Sequence, residues 1–185
     1  MLQTIARKIL AFFRWTLVGE IPPIKKGVFV AAYHTSNWDG FWFIVYKFAI
    51  NVRVRFLAKH TLFWWPMGPF LRKLGAIPID RDHTHSTVQM LVDTFRNEDH
   101  LFLALAPEGT RKWQPYWKSG FYQIAKKAGV PIVLAFIDYR KKEIGIGISI
   151  EPGDRQKDLQ TMRDFYRNVT PRHPANQGPV AFPPD

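Results

Sequence analysis

Short apolar runs alternate with longer amphipathic stretches along almost the whole of this chain. The short runs have the length and composition of buried strands and occupy residues 27–33, 52–58, 75–79, 101–106, 130–137 and 143–150. The longer stretches have helical character and occupy residues 2–18, 40–50, 86–98, 120–128 and 159–169. This alternation predicts an α/β fold, in which helices flank a largely parallel or mixed sheet.

Length and composition indicate one folded domain. A chain of 185 residues, 46% of them hydrophobic, suits one domain with a substantial core and is short for two domains. We predict an amphipathic N-terminal helix over 1–20, a main domain over 27–170 and a loose, proline-rich tail over 171–185. The absence of cysteine excludes disulfides, thiolate metal sites and a cysteine nucleophile.

Positive charge is concentrated in the first half of the chain. Residues 1–79 contain 11 Lys or Arg and 2 acidic residues, whereas residues 80–185 contain 15 and 13. A basic, aromatic-rich half suits an anionic membrane surface or nucleic acid. An ordinary solvated basic surface is the simpler alternative.

The N-terminal segment predicts a helix with one apolar and one basic face. Leu2, Ile5 and Ile9 lie on the apolar face, and Arg7 and Lys8 lie opposite. Such a helix rests in a lipid interface or packs on the core, and the flanking cations favour lipid. With no apolar stretch of roughly 18 residues and no signal peptide, we expect a peripheral membrane protein on the cytoplasmic face. Aromatic residues that would join the contact are Trp38, Phe41, Trp42, Phe43, Phe63, Trp64 and Trp65.

Polar segments at 34–39, 80–81 and 107–111 each follow a predicted strand. Ligands of α/β sheets bind beyond the carboxyl ends of the strands, so we expect the three segments to share one cleft.

His34 and Asp39 are the first candidate pair. Five residues apart, they would lie on different faces of a continuous helix, so they meet only if the chain turns between them. A strand, a turn and a helix capped by Ser36 or Asn37 provide that turn. A carboxylate on one imidazole nitrogen fixes the tautomer and leaves the other nitrogen free to accept a proton. A purely structural hydrogen bond is the alternative.

Arg81 and Arg111 each follow a strand and a carboxylate. A guanidinium matches phosphate oxygens, Gly109 permits close approach of a ligand to the backbone, and Thr110 adds a hydroxyl. The alternative is that both arginines form solvent-facing ion pairs with neighbouring carboxylates, Glu108 among them.

Taken in this order, the segments resemble the sequence blocks of the glycerolipid acyltransferases, typified by 1-acylglycerol-3-phosphate acyltransferase. His34-Thr-Ser-Asn-Trp-Asp39 is similar to the first block, and Gly75-Ala-Ile-Pro-Ile-Asp-Arg81 to the second. Pro107-Glu-Gly-Thr-Arg111 is similar to the third, and Lys118-Ser-Gly120 with residues 128–133 to the connector and fourth. The resemblance covers roughly residues 27–137. Departures that would shape the acceptor pocket or acyl tunnel are Pro78, Ala106 and Leu134.

The resemblance implies transfer of a fatty acyl group from acyl-CoA or acyl carrier protein to the hydroxyl of a phosphate-bearing glycerolipid. The acceptor expected first is 1-acylglycerol 3-phosphate, which would give phosphatidic acid. His34 would be the general base and Asp39 would orient it, without a covalent acyl-enzyme. The thioester is a co-substrate, and no cofactor is expected. The implied acceptor-binding residues are Arg81, Glu108, Gly109, Thr110 and Arg111, with the two arginines on the phosphate.

Other functions stay open at this stage. A nucleic-acid-binding module suits a pI of about 10.0 but leaves the three polar segments unexplained, so we expect no nucleic-acid partner. A lipase or thioesterase would use the same pair with water as the acceptor. A third option is the family reaction on glycerol 3-phosphate, another lysophospholipid or an aminolipid. His83 and His85 have no third ligand at suitable spacing, so no metal site is predicted.

Overall fold

The computed structural model describes residues 1–80 and 84–184, without the side chains of Thr84 and His85. The strands in these ranges are β1 (Thr16–Val18), β2 (Lys26–Ala31), β3 (Val54–Lys59), β4 (Ala76–Ile79), β5 (Leu101–Leu105), β6 (Ile132–Asp138) and β7 (Glu143–Ile150). The α-helices are α1 (Leu2–Phe12), α2 (Asn37–Ala49), α3 (Met67–Lys73), α4 (Thr84–Asn97), α5 (Gly120–Ala128) and α6 (Arg155–Tyr166). Short 3-10 turns occupy His60–Leu62 and Pro174–Asn176.

The strands form one mixed sheet in the order β1-β7-β6-β2-β5-β3-β4. Neighbouring strands are parallel, except that β6 and β7 run antiparallel. A short turn suffices to join an antiparallel pair, and residues 139–142 make that connection. The α/β fold with a largely parallel or mixed sheet is confirmed.

Alternate side chains of the central strands enter two separate cores. Val28 and Val30 belong to the core beneath α4, α5 and α6, whereas Phe29 belongs to the core beneath α1 and α2. This follows from the period of two along a strand, which sends successive side chains to opposite faces. Both faces of the sheet are therefore covered, as the apolar strand composition predicts.

The N-terminal helix is shorter than the predicted 2–18. It ends at Phe12, and Arg14 adopts a left-handed backbone with φ of 60°. Residues 16–18 instead form β1, which pairs with β7 at the sheet edge. The β-branched Thr16 and Val18 favour this extended conformation over helix.

Helix α1 packs on α2 through only part of its apolar face. Ala6 and Leu10 are buried, and the Arg7 side chain donates to the Ala49 main-chain oxygen at the end of α2. Leu2 and Phe12 remain exposed. The helix thus belongs to the folded domain while it presents large apolar side chains to the surroundings.

The C-terminal segment, predicted to be a loose tail, packs on the core through residue 182. Val180 and Phe182 are buried. The Trp117 amide donates to the Ala181 oxygen at 2.7 Å, and Arg163 Nε donates to the Val180 oxygen at 2.8 Å. The prolines make this segment extended, but its apolar side chains cover the core beside α5, and their burial holds it in place.

Candidate active site

The first and third polar segments lie side by side. Strands β2 and β5 are parallel neighbours in which Val30 pairs with Leu105, so the residues that follow them leave the sheet at the same edge. Strand β4 ends at this edge too, but β3 lies between β4 and β5, so the two strands are two strand spacings, or about 10 Å, apart. The second segment begins there with Asp80. Arg81 lies outside the described residues.

A capping box turns the chain between His34 and Asp39. The Ser36 hydroxyl accepts from the Trp38 amide at 3.2 Å, and the Ser36 amide donates to Asp39 Oδ2 at 2.7 Å. This reciprocal bonding starts α2 and directs the Asp39 carboxylate back along the chain. His34 Nδ1 consequently lies 3.2 Å from Asp39 Oδ2. The predicted turn, with Ser36 as the cap, is therefore present.

Asp39 receives hydrogen bonds on both carboxylate oxygens. The Thr35 amide donates to Oδ2 at 2.8 Å, in addition to the Ser36 amide and His34 Nδ1, and Tyr139 donates to Oδ1 at 2.6 Å. Burial alone would raise the pKa of Asp39, but the donors from His34, Tyr139 and Ser36 leave that pKa below its ordinary value. An ionised Asp39 requires the proton of neutral His34 on Nδ1, so Nε2 is the free acceptor.

Tyr139 is a residue of this site that the sequence motifs do not mark. It follows β6, and its main-chain amide donates to the Thr170 oxygen at 2.9 Å. Burial and the adjacent Asp39 carboxylate raise the pKa of its hydroxyl far above the ordinary value, so the group stays a proton donor. The available signal was its position after a strand at the same sheet edge.

Glu108 is buried behind the His34 loop. Its side chain is 5% exposed, and Oε1 accepts from the His34 amide at 3.3 Å. Burial raises the pKa of this carboxyl to about 8. Its Oε2 has no hydrogen-bond partner among the described residues. The carboxyl therefore faces the protein's own main chain and makes no ion pair with Arg111 in the described structure.

The rest of the third segment forms a basic rim. Gly109 has φ of 66°, and a Cβ there would lie 3.0 Å from Lys118 Cε, so the position favours glycine. Thr110 Oγ accepts from the Lys112 amide at 3.4 Å. Arg111 is exposed, and no carboxylate in the described ranges pairs with it. Lys118, which the sequence blocks mark only as part of the connector segment, lies beside Gly109 and contributes a second cation to this rim.

An apolar cavity of about 190 Å³ extends from the His34–Asp39 pair between α2 and the sheet. Its wall follows α2 from Gly40 to Lys47, a rise of roughly 10 Å. Lys47 is buried beside the cavity, where its ammonium donates to the Leu74 oxygen, and burial lowers its pKa. Other wall residues are Phe29, Phe43, Phe56, Ala104, Ala106 and Ile146.

The sequence profile of the family described as Acyltransferase matches residues 14–137. The chain belongs to the acyltransferase family. The fold is similar to that in the crystal structure of PlsC, the 1-acyl-sn-glycerophosphate (LPA) acyltransferase from Thermotoga maritima, with a TM-score of 0.61 and 17% identity. The alignment covers 87% of this chain and 73% of that one. A comparison with curated protein sequences finds no significant match.

The matched range contains His34, Asp39 and residues 107–111 but ends before Tyr139. The acyltransferase therefore completes its Asp39 environment with a residue from outside the profile. The C-terminal segment also reaches this place, because the His173 amide donates to Thr35 Oγ1 at 3.2 Å. Helical or strand periodicity does not reveal such contacts, since they join residues 100 and 138 positions apart.

Neither histidine of the 83–85 segment has a described side chain. Within the part of the chain that the structure describes, no three His, Asp or Glu side chains cluster as metal ligands.

We predict that Tyr139→Phe lowers kcat of the acyltransferase roughly 10- to 100-fold. The change removes only the hydroxyl that donates to Asp39 Oδ1, and a hydrogen bond to a charged group contributes about 1.5–3 kcal/mol. Without this donor the Asp39 carboxylate is held less firmly against His34 Nδ1, so the base is less well oriented for proton transfer. Steady-state kinetics at saturating substrate measure kcat.

Tyr122→Phe is the matched control for Tyr139→Phe. Tyr122 donates to Asp158 Oδ2 at 2.7 Å, which is also a tyrosine–aspartate bond, but it lies on the α5–α6 side of the sheet. We expect Tyr122→Phe to lower stability and to leave kcat close to that of the wild type. Equal losses of kcat in the two variants would show that Tyr139 has no special relation to the site.

We also predict that Glu108 makes folding less favourable as the pH rises. Its pKa in the folded protein is about 8 against an ordinary value of 4.5, so between these values the folded state holds a proton that the unfolded chain has lost. Stability therefore falls across this window, by at most about 1.4 kcal/mol per pH unit. Glu108→Gln keeps an oxygen for the His34 amide and removes this dependence.

Urea unfolding at pH 5 and pH 8 tests this prediction. The free energy of unfolding of Glu108→Gln minus that of the wild type should be larger at pH 8 than at pH 5. Glu98→Gln, which alters a partly exposed acid paired with Arg55, provides the control. If the Glu108→Gln difference is the same at both pH values, the raised pKa is wrong.

Proposed function

We propose that this acyltransferase moves a fatty acyl group from acyl-CoA or acyl carrier protein to the hydroxyl of a phosphate-bearing glycerolipid. The acceptor we expect is 1-acylglycerol 3-phosphate, with phosphatidic acid as the product. The observation that carries the proposal is the His34–Asp39 pair, with Nδ1 to Oδ2 at 3.2 Å, at the end of an apolar cavity. The likeness in fold to PlsC, whose name specifies this reaction, supports the same choice.

His34 acts as the general base in the proposed mechanism. Its Nε2 removes the proton from the acceptor hydroxyl while that oxygen attacks the thioester carbonyl carbon. Asp39 stabilises the resulting imidazolium through Nδ1, and Tyr139 keeps the carboxylate in place. When the carbon–sulfur bond breaks, the imidazolium returns its proton to the leaving thiolate. The acyl group thus passes directly to the acceptor oxygen.

The two ends of the substrates have different binding environments. The acyl chain enters the apolar cavity, whose Ala104 and Ala106 leave room beside the sheet. The acceptor phosphate binds Arg111 at the exposed rim, and we retain Arg81 and Thr110 as its further partners. Glu108 is buried and accepts from the His34 amide. We therefore propose that it affects acceptor binding indirectly, by supporting the His34 loop.

The enzyme works at a membrane surface in this proposal. Exposed apolar side chains on α1 include Leu2 (60%) and Phe12 (81%). Phe12 contacts Phe13, and exposed Phe41 and Trp38 form a second edge-to-face pair at the start of α2. One ring of each pair, Phe13 and Phe41, contacts the ring of Trp42, so the two pairs belong to one aromatic surface. Large exposed apolar surface is typical of lipid or protein contact.

Only some of the aromatic residues that we predicted to contact lipid are exposed. Trp42 is buried, and Phe43 lines the cavity, so neither is free to meet lipid. Trp64 and Trp65 are exposed. Across residues 1–80 and 84–184, no helix is long and apolar enough to cross a bilayer. The basic excess of residues 1–79 suits the anionic cytoplasmic leaflet, where we place the enzyme.

An acyl-transfer assay tests the function directly. Purified protein in liposomes receives acyl-CoA or acyl carrier protein donors with 1-acylglycerol 3-phosphate. We expect phosphatidic acid from the wild type and at least a 100-fold lower rate from His34→Ala, since general-base catalysis contributes roughly 10²–10⁴-fold. Ala104→Leu narrows the cavity and should reduce turnover of long-chain donors more than of short-chain donors.

The same assay separates the alternatives. Equal consumption of donor with and without acceptor would indicate a hydrolase. Transfer to glycerol 3-phosphate, another lysophospholipid or an aminolipid would keep the reaction and change the acceptor. A folded His34→Ala variant with normal turnover would remove His34 from the mechanism.

We predict that Leu2→Ser with Phe12→Ser weakens liposome binding at least tenfold. Burial of one such side chain contributes about 1.5–3 kcal/mol, and both are exposed on α1 away from its packed edge. Co-sedimentation with vesicles of anionic and neutral lipid measures the change. Met90→Ser is the control, because Met90 is 44% exposed on α4, which packs on the opposite core. Equal binding by both variants would contradict membrane contact through α1.

A further inference from the structure

We propose that Arg172 binds a phosphate group of a substrate at the rim of the active site. The inference rests on the proposed function, because it assigns a further residue to the phosphate-bearing substrates of the same site. Arg172 lies in the C-terminal segment, beyond the range of 14–137 that the family profile matches. It is not among the residues that the sequence blocks mark.

The position of Arg172 follows from two ring contacts. Its Cζ lies 5.9 Å from the centroid of the Trp38 ring and 5.7 Å from that of Tyr139. Trp38 directly precedes Asp39, and the Tyr139 hydroxyl donates to Asp39 at 2.6 Å. The guanidinium therefore lies beside two rings, one of which belongs to the tyrosine that donates to Asp39.

The chain on both sides of Arg172 is tied to the site. The Thr170 oxygen accepts from the Tyr139 amide at 2.9 Å, and the His173 amide donates to Thr35 Oγ1 at 3.2 Å. Pro171 between them is buried. Arg172 is thus a cation whose main chain is positioned before any ligand arrives, which lowers the entropic cost of binding.

The charge of Arg172 has no partner in the described structure. Its side chain is exposed, and no described carboxylate forms an ion pair with it. Asp39, the nearby carboxylate, already receives hydrogen bonds from His34, Tyr139 and two main-chain amides. A guanidinium at cation–π distance from two rings keeps N–H groups for other partners, and its planar fork matches phosphate oxygens.

Two substrates bring phosphate to this rim. The acceptor carries a phosphate on the glycerol whose hydroxyl must reach His34. The acyl-CoA donor carries phosphates on the part that remains outside the apolar cavity. The acceptor carries a phosphate monoester, and CoA carries a phosphate monoester and a diphosphate, so the same fork suits either substrate and kinetics with matched substrates tell them apart.

The experiment compares wild type, Arg172→Gln and Arg172→Lys with Arg155→Gln as the control. Arg155 also lies over an aromatic ring, with Cζ 5.1 Å from the Phe182 centroid, but it belongs to α6 on the other face of the sheet. We expect Arg172→Gln to raise one KM roughly 10- to 100-fold, and Arg172→Lys to raise it less, because lysine keeps the charge but not the fork. Arg155→Gln should leave every KM unchanged.

Substrate variants identify the phosphate. A raised KM for 1-acylglycerol 3-phosphate, with that for donor unchanged, assigns Arg172 to the acceptor. A raised KM for acyl-CoA, but not for acyl-pantetheine, which lacks phosphate, assigns it to the donor. Unchanged KM values, or a fall in kcat alone, overturn the proposal. A loss confined to acyl carrier protein also overturns it, since protein carboxylates would then be the ligand.

Calorimetry separates this inference from the proposed function. Binding of CoA and of glycerol 3-phosphate is measured without turnover, for the wild type and Arg172→Gln. Weaker binding by Arg172→Gln supports the phosphate site even if the wild type transfers no acyl group to a glycerolipid. Equal binding of both ligands by the two proteins overturns the site, whatever the transfer assay shows.

Discussion

The hydrogen-bonded carboxylate of Asp39 is the interaction on which the site depends. Two main-chain amides of the preceding turn hold Oδ2, and that same atom meets His34 Nδ1. The bonds that start α2 therefore also set the orientation of His34. Any change that unfolds the first turn of α2 would separate the pair, so the start of the helix and the closeness of His34 to Asp39 have one physical cause.

The surroundings of Asp39 come from three distant parts of the chain. Tyr139 reaches it from the end of β6, and the C-terminal segment bonds to both Tyr139 and Thr35. Glu108 approaches the other side of the loop after β5 and accepts from the His34 amide. The His34 loop is neither helix nor strand, but these contacts hold it between the sheet edge and the C-terminal segment.

Periodicity predicted most of the fold but not its two ends. Buried strands and amphipathic helices repeat at spacings that the backbone geometry imposes, which is why 120–128 and 143–150 were predicted with their observed bounds. Residues 16–18 read as helix because their apolar side chains continue its pattern, yet pairing with β7 makes them a strand. The proline-rich, polar composition of the tail predicts a loose segment, although Val180 and Phe182 are buried in the core.

The sequence by itself determined which groups are available for the chemistry. His34, Ser36 and Asp39 lie within one turn, and the capping bonds among them depend on neighbouring residues only. Tertiary structure decided the rest: the raised pKa of Glu108, the bond from Tyr139 and the place of Arg172. Burial and contacts between residues far apart in sequence depend on how the sheet brings strand ends together, and no local pattern encodes that arrangement.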